Sequence, residues 1–133
     1  MPDLIAAPIY TAVVATLAVL LSVVVIRKRR SEQISLGLGN EGEIEFAVRA
    51  HANLVEHAPL ALILLAVYEL NGGSVWVLHA GGLALVLGRL LHAFAFTVSP
   101  KHGASFGRVG GMSLTFTSYL ILIPANVVAV LAG

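Results

Sequence analysis

Residues 4–30 read LIAAPIYTAVVATLAVLLSVVVIRKRR, an uncharged apolar run followed by four consecutive basic side chains. A helix rises 1.5 Å per residue, so roughly 20 apolar residues cross the hydrocarbon core of a bilayer. The run predicts a transmembrane helix over about 4–26, stopped by Arg27-Lys28-Arg29-Arg30. Pro8 falls in the opening turn, where a missing amide costs little. Met1-Pro2-Asp3 lacks the basic leader of a signal peptide and the cluster follows the apolar run, so a retained helix is expected.

Reading outward, a polar loop (Ser31 to Asn40) leads to a second helical pattern over 43–70, and Asn71-Gly72-Gly73 reads as a tight turn. A third span over 74–98 ends at Ser99-Pro100, and a fourth covers 106–131. The expected fold is all-α, an integral membrane four-helix bundle forming a single domain over 1–133. Composition agrees: only 11% of residues are charged and mean hydropathy is +0.92, against about 25% charged in soluble domains.

A net charge of +1 gives no field to recruit nucleic acid, so no nucleic-acid partner is expected. With no cysteine there is no disulfide framework and no protein thiol nucleophile. His51 and His57 lie on different helix faces and no carboxylate set accompanies His92, so no metal site is expected. The basic residues sort by loop. Loop 27–40 holds four and the 99–108 connection holds Lys101 and Arg108, while the N-terminus and the 71–73 turn hold none. Positive-inside bias therefore puts both termini outside and both long loops in the cytoplasm, with Tyr10, Tyr68 and Trp76 at outer span ends where headgroup-level rings are favoured. Gly81, Gly82, Gly88, Gly107, Gly110 and Gly111 are expected to let helix backbones approach closely.

The second span is polar at one end. Glu45, Arg49, Asn53 and Glu56 follow at i, i+4, i+8 and i+11 on one stripe, with His57 beside it and His51 pointing elsewhere, whereas Ala58 to Val67 is apolar throughout. The third span answers with Arg89, His92 and Phe96. In a hairpin about Gly72, equal rise sets Glu56 level with Arg89 and Asn53 level with His92. Ionised groups inside a span cost at least about 2.5–3.5 kcal/mol each, so they demand partners or water. Ion pairs fixing helix register are one reading. The other is a hydrated pocket near the cytoplasmic face, offering guanidinium groups to carboxylates and a carboxylate to an amine, which suits a zwitterionic peptide. Pro59 removes an amide bond to Val55 and could bend the helix there. His79 reads as a packing residue, and Ser113, Thr115, Thr117, Ser118 and Asn126 as hydrogen bonders to neighbouring helices, with Tyr119 able to reach a site.

The stretch Glu45-Phe46 through Arg49, Asn53, Glu56, His57 and Pro59-Leu60, with its Arg-x-x-x-Asn-x-x-Glu-x-x-Pro spacing, resembles the MAPEG family, the membrane-associated proteins of eicosanoid and glutathione metabolism, and most closely its small bacterial type. The likeness continues through Gly88-Arg89-Leu-Leu-His92 and four spans. It implies a homotrimer in the bacterial inner membrane, binding glutathione as co-substrate between subunits near the cytoplasmic side. Arg49, Asn53 and Glu56 match the family's glutathione contacts and Arg89 matches a family arginine on the third helix. With His57 and His92 they form the glutathione-binding set the resemblance implies, and His57, His92 and Phe96 stand where leukotriene-forming members carry tyrosines flanking the site. Of Lys101, His102 and Arg108, Arg108 is the choice for the thiolate-stabilising, catalytic arginine.

A free thiol ionises near pH 8.5 and a neighbouring guanidinium lowers that value, so such a site would supply a glutathione thiolate to an electrophilic or peroxidised apolar compound arriving from the membrane lipid. The first expectation is thus a glutathione-dependent transferase or peroxidase acting on lipophilic small molecules. The alternative is a non-enzymatic membrane scaffold whose polar cluster serves assembly. Transport ranks last, because the apolar run Ala58 to Val67 leaves no outer path.

Overall fold

Lipid offers nothing to hydrogen-bond a bare amide, so long apolar segments close their own backbone bonds as helices. A computed structural model describes residues 4–37, 43–98 and 106–132. It contains α1 (Ala6–Ser31), α2 (Glu43–Leu70), α3 (Val75–Val98) and α4 (Phe106–Ala132), with no strand among the described residues. All four are long and apolar enough to cross a membrane.

α1 does not stop at the basic block. It runs through Arg27 to Arg30 and ends at Ser31, because Lys and Arg are good helix formers and their charges suit a helix C-terminus. The apolar span and the helix therefore end at different residues. α2 is continuous through Pro59, so the proline does not interrupt it.

Two helices end in the same way. At the close of α2, Gly72 takes φ +71°, its N–H donates to the Glu69 carbonyl at 3.0 Å and the Gly73 N–H to the Tyr68 carbonyl at 3.0 Å. At the close of α1, Gln33 takes φ +55°, its N–H donates to the Arg30 carbonyl at 3.4 Å and the Ile34 N–H to the Arg29 carbonyl at 3.0 Å. Both are Schellman-type endings, which consume otherwise unsatisfied carbonyls.

α2 and α3 form the central pair. α1 packs on both from one side and α4 packs on both from the other, so α1 and α4 do not touch. One apolar cluster gathers Leu21, Leu54, Ala61 and Leu85, and a second gathers Tyr10, Leu65, Leu78 and Leu122. Trp76, Leu120 and Val130 are exposed to the surroundings, as a lipid-facing surface requires.

The α3–α4 contact is the closest. A methyl group placed on Gly88 would lie 2.7 Å from the Gly111 carbonyl, and one on Gly111 would lie 2.7 Å from the Gly88 carbonyl and from His92 Cβ. Glycine at both positions lets the two backbones touch, as the small-residue pattern predicts. Gly82 serves a different neighbour and accommodates the Tyr10 ring from α1.

Tyr10 and Tyr68 are buried in the bundle, correcting their assignment as headgroup anchors. Tyr10 Oη shares a 2.8 Å hydrogen bond with His79 Nδ1, and Tyr68 Oη accepts from the Ser74 N–H at 3.2 Å. Their hydroxyls are better satisfied by polar partners inside than by the bilayer surface. Trp76 does project outward.

Glu69 is a feature the sequence reading missed. Its carboxylate accepts from the N–H groups of Ile5, Ala6 and Ala7 at 2.9, 2.7 and 2.7 Å. α1 has no capping side chain of its own, so a carboxylate from the neighbouring helix satisfies its free amides and meets its positive dipole end.

Candidate functional site

Only one edge of the α2 polar stripe faces its neighbours. Taking about 100° per residue from Glu45, Arg49 lies at about 40°, Glu56 at about 20° and Asn53 at about 80°. Asn53 is half-buried toward α3, while Glu45, Arg49 and Glu56 stay exposed on the outer side of α2.

Arg89 meets Asn53, not Glu56. Its Nη1 donates to Asn53 Oδ1 at 2.7 Å and to the Asn53 carbonyl at 3.2 Å, and its Nη2 approaches Met112 Sδ at 3.3 Å. The equal-rise estimate fixed depth but not rotation, and Glu56 is turned away from α3. Arg89 is 1% exposed, its Nε has no hydrogen-bond partner among the described residues, and no carboxylate of a described residue contacts it. A guanidinium is donor-only, so the Asn53 oxygen must face inward and its NH2 group outward.

The polar groups expected to converge between α2 and α3 instead divide among three places. His92 and Arg108 line an open pocket of about 450 Å³ along α3 and α4, together with Phe96, Met112, Ser113 and Phe116. His57 reaches that wall through the Phe116 ring, edge-on with centroids 6.3 Å apart, and its carbonyl accepts from Tyr119 Oη at 2.7 Å. Arg89 and Asn53 lie behind the wall through Met112. Arg49 and Glu56 remain on the exposed face of α2, with no hydrogen bond or ion pair to another described residue.

Arg108 opens α4 with its guanidinium 4.1 Å from the Phe96 ring centroid and 5.6 Å from that of Phe46. Cation–π attraction of about 0.5–2 kcal/mol holds the charge at the pocket mouth. The His92 ring lies 4.9 Å from the Phe96 ring. Lys101 and His102 lie outside the described residues.

Met112, Phe116 and Phe46 are site residues that the sequence reading passed over. Met112 and Phe116 follow Arg108 at helical spacing on α4 and Phe46 lies on α2, and as apolar residues of membrane helices they carry the same signal as a lipid-facing surface. Ser113 was assigned to packing but borders the pocket. Thr115 and Thr117 donate to carbonyls four residues back on α4 and not to neighbours, whereas Asn126 does bridge to the Leu64 carbonyl of α2. His51 bonds Ser22 of α1 at 2.9 Å, away from the pocket.

Four membrane-spanning helices, a backbone-to-backbone α3–α4 crossing and an arginine-bearing pocket at one end define an integral membrane helix bundle. The chain belongs to the MAPEG family, whose pattern matches residues 7–128. It is 34% identical over 118 residues to the inner membrane protein YecN of Escherichia coli (strain K12), covering 89% of this chain and 87% of that protein. The same figures hold for YecN of Escherichia coli O6:H1. The fold and this relationship make it an integral inner-membrane protein of a family tied to glutathione and eicosanoid metabolism.

Proposed function

We propose that this protein is a glutathione-dependent transferase or peroxidase acting on lipophilic electrophiles. The observation that carries the reading is Arg108 seated over Phe96 at the mouth of an aromatic-walled pocket, with Arg89 behind it, which no carboxylate of a described residue contacts. Such a site favours an anion lodged against apolar surface, as a thiolate meeting a hydrophobic substrate would be.

Arg49 and Glu56 support a second element of the reading. Left on an open helix face at membrane depth, each would cost several kcal/mol, so we infer that neighbouring copies cover them in a homotrimer. A ligand held between copies would then meet Arg49, Glu56 and the outward NH2 of Asn53 from one subunit and the Arg108 pocket from another, on the cytoplasmic side, with both termini outside. Glutathione fits this set: its carboxylates suit Arg49 and Asn53, its amine suits Glu56, and its sulfur suits Arg108. His57, His92 and Arg89 shape the surrounding wall.

In transfer, the thiol proton leaves to water and sulfur bonds to the electrophilic carbon, which releases its leaving group or passes the electron pair to a conjugated oxygen. In peroxide reduction, sulfur attacks a peroxide oxygen and the O–O bond breaks, leaving a glutathione sulfenic acid and an alkoxide that takes a proton to become the alcohol. A second glutathione thiol then attacks the sulfenic sulfur, breaking its S–O bond and releasing water as the disulfide forms.

The test is equilibrium glutathione binding to detergent-purified protein with thiolate absorbance followed in parallel. Saturable binding with a thiolate signal at neutral pH is expected, lost altogether in Arg49→Ala and reduced to binding without thiolate in Arg108→Gln. Binding by Arg49→Ala equal to the parent would overturn the reading. Absence of binding in the parent, with trimer loss in Glu56→Ala, would make the polar face an assembly device of a scaffold.

A further inference from the structure

A second pocket, of about 340 Å³, lies where α1 leaves the apolar layer, lined by Ile26, Arg29, Arg30, Gln33, Ile34 and Ser35. Ile26 is the last residue of the apolar run and the basic residues follow at once. The left-handed turn at Gln33 folds the chain back, so that Gln33, Ile34 and Ser35 face the guanidinium groups instead of leading away from them.

We propose that this pocket holds the phosphodiester of an anionic phospholipid. Arg29 Nη1 donates to the Ser35 and Gly37 carbonyls at 3.5 and 3.1 Å, which fixes its plane and leaves its other N–H groups to be directed at an oxyanion. Arg30 is exposed beside it. Gln33 and Ser35 add an amide and a hydroxyl for the glycerol and headgroup oxygens.

Charge favours the anion. Residues 27–32 carry four cations against one carboxylate, Glu32, an excess that outweighs the roughly half negative charge of the helix C-terminus. Gln33 points the same way. The equivalent position after α2 is a glycine, which takes a positive φ freely, whereas a glutamine there is disfavoured and lines the pocket.

The apolar side names a lipid over a soluble phosphate. Val19, Val23 and Ile26 are exposed at i, i+4 and i+7, forming a strip that runs from the pocket up the membrane-facing side of α1, where an acyl chain would lie. Basic sites at the membrane boundary recognise anionic headgroups, each Lys or Arg contributing about 1 kcal/mol, or about fivefold in affinity.

The experiment is native mass spectrometry of the full-length protein in neutral detergent, titrated with phosphatidylglycerol, phosphatidylcholine or glycerol 3-phosphate at about 0.15 M salt. Saturable phosphatidylglycerol binding is expected, weakened about fivefold by Arg30→Gln, which keeps the Arg29 brace intact, and about 25-fold by Arg29→Gln with Arg30→Gln. Arg27→Gln with Lys28→Gln removes the same charge outside the pocket lining and is expected to weaken binding by no more than about fivefold, because those charges act only through screened attraction. Equal losses in the two double variants would reduce the effect to diffuse attraction and overturn the site. Phosphatidylcholine binding as tightly would overturn the anionic selectivity, and glycerol 3-phosphate binding as tightly would overturn the lipid as its source.

Discussion

Arg89 of α3 donates from one nitrogen to both the side-chain and the main-chain oxygen of Asn53 on α2, at 2.7 and 3.2 Å. This pairing satisfies one edge of a buried guanidinium and fixes which end of the carboxamide faces out. Asn53→Leu should therefore destabilise the bundle by about 3 kcal/mol, read as a lowered unfolding midpoint in detergent. Asn53→Asp should fold at least as well as the parent, since a carboxylate suits Arg89 better, yet it should weaken glutathione binding by about tenfold or more because the outward donor becomes an acceptor. Unchanged stability in Asn53→Leu would mean the two groups are not coupled.

Glu69 should behave as a cap supplied from outside the helix it serves. Glu69→Ala is expected to cost about 1–2 kcal/mol, with Glu69→Gln losing less. Amide hydrogen exchange at Ile5, Ala6 and Ala7 should accelerate while exchange in mid-α1 stays near the parental rate. Uniform acceleration along α1 would assign Glu69 a global role instead.

The α3–α4 crossing should reject side chains at Gly88 and Gly111 while accepting one at Gly110, where a methyl group meets only the Leu91 Cδ2 at 3.3 Å. Gly88→Val or Gly111→Val is expected to lose about 2–3 kcal/mol and to open the pocket beside His92, and Gly110→Ala to stay within about 0.5 kcal/mol. Thermal unfolding of the three variants side by side decides it. Equal tolerance at Gly88 and Gly110 would contradict the backbone contact.

The two left-handed helix endings predict opposite signs. Gly72→Ala should destabilise by about 1 kcal/mol from backbone strain alone, since nothing lies within 4 Å of the added methyl group. Gln33→Gly should stabilise by a few tenths to about 1 kcal/mol. A stability loss in Gln33→Gly would show that the Gln33 side chain contributes more to the fold than its backbone conformation costs.

The sequence by itself determined the four membrane helices, the Gly72 turn and which polar residues sit at one end of the bundle, because hydropathy over some 20 residues and the helical repeat are local properties of the chain. It also placed His51 off the polar stripe and His79 in a packing contact, since one helix repeat is enough to separate faces. It did not place the α1 terminus, because an apolar span ends at the first charge while a helix ends where its carbonyls find other partners. Only the tertiary structure decided that Arg89 takes Asn53 over Glu56, that Glu69 caps α1, and that the pocket follows α3 and α4 with Arg108 over Phe96. Rise along a helix can be counted from sequence, but rotation toward a neighbour is set by how glycines such as Gly88 and Gly111 let two backbones meet, and that information exists only between helices.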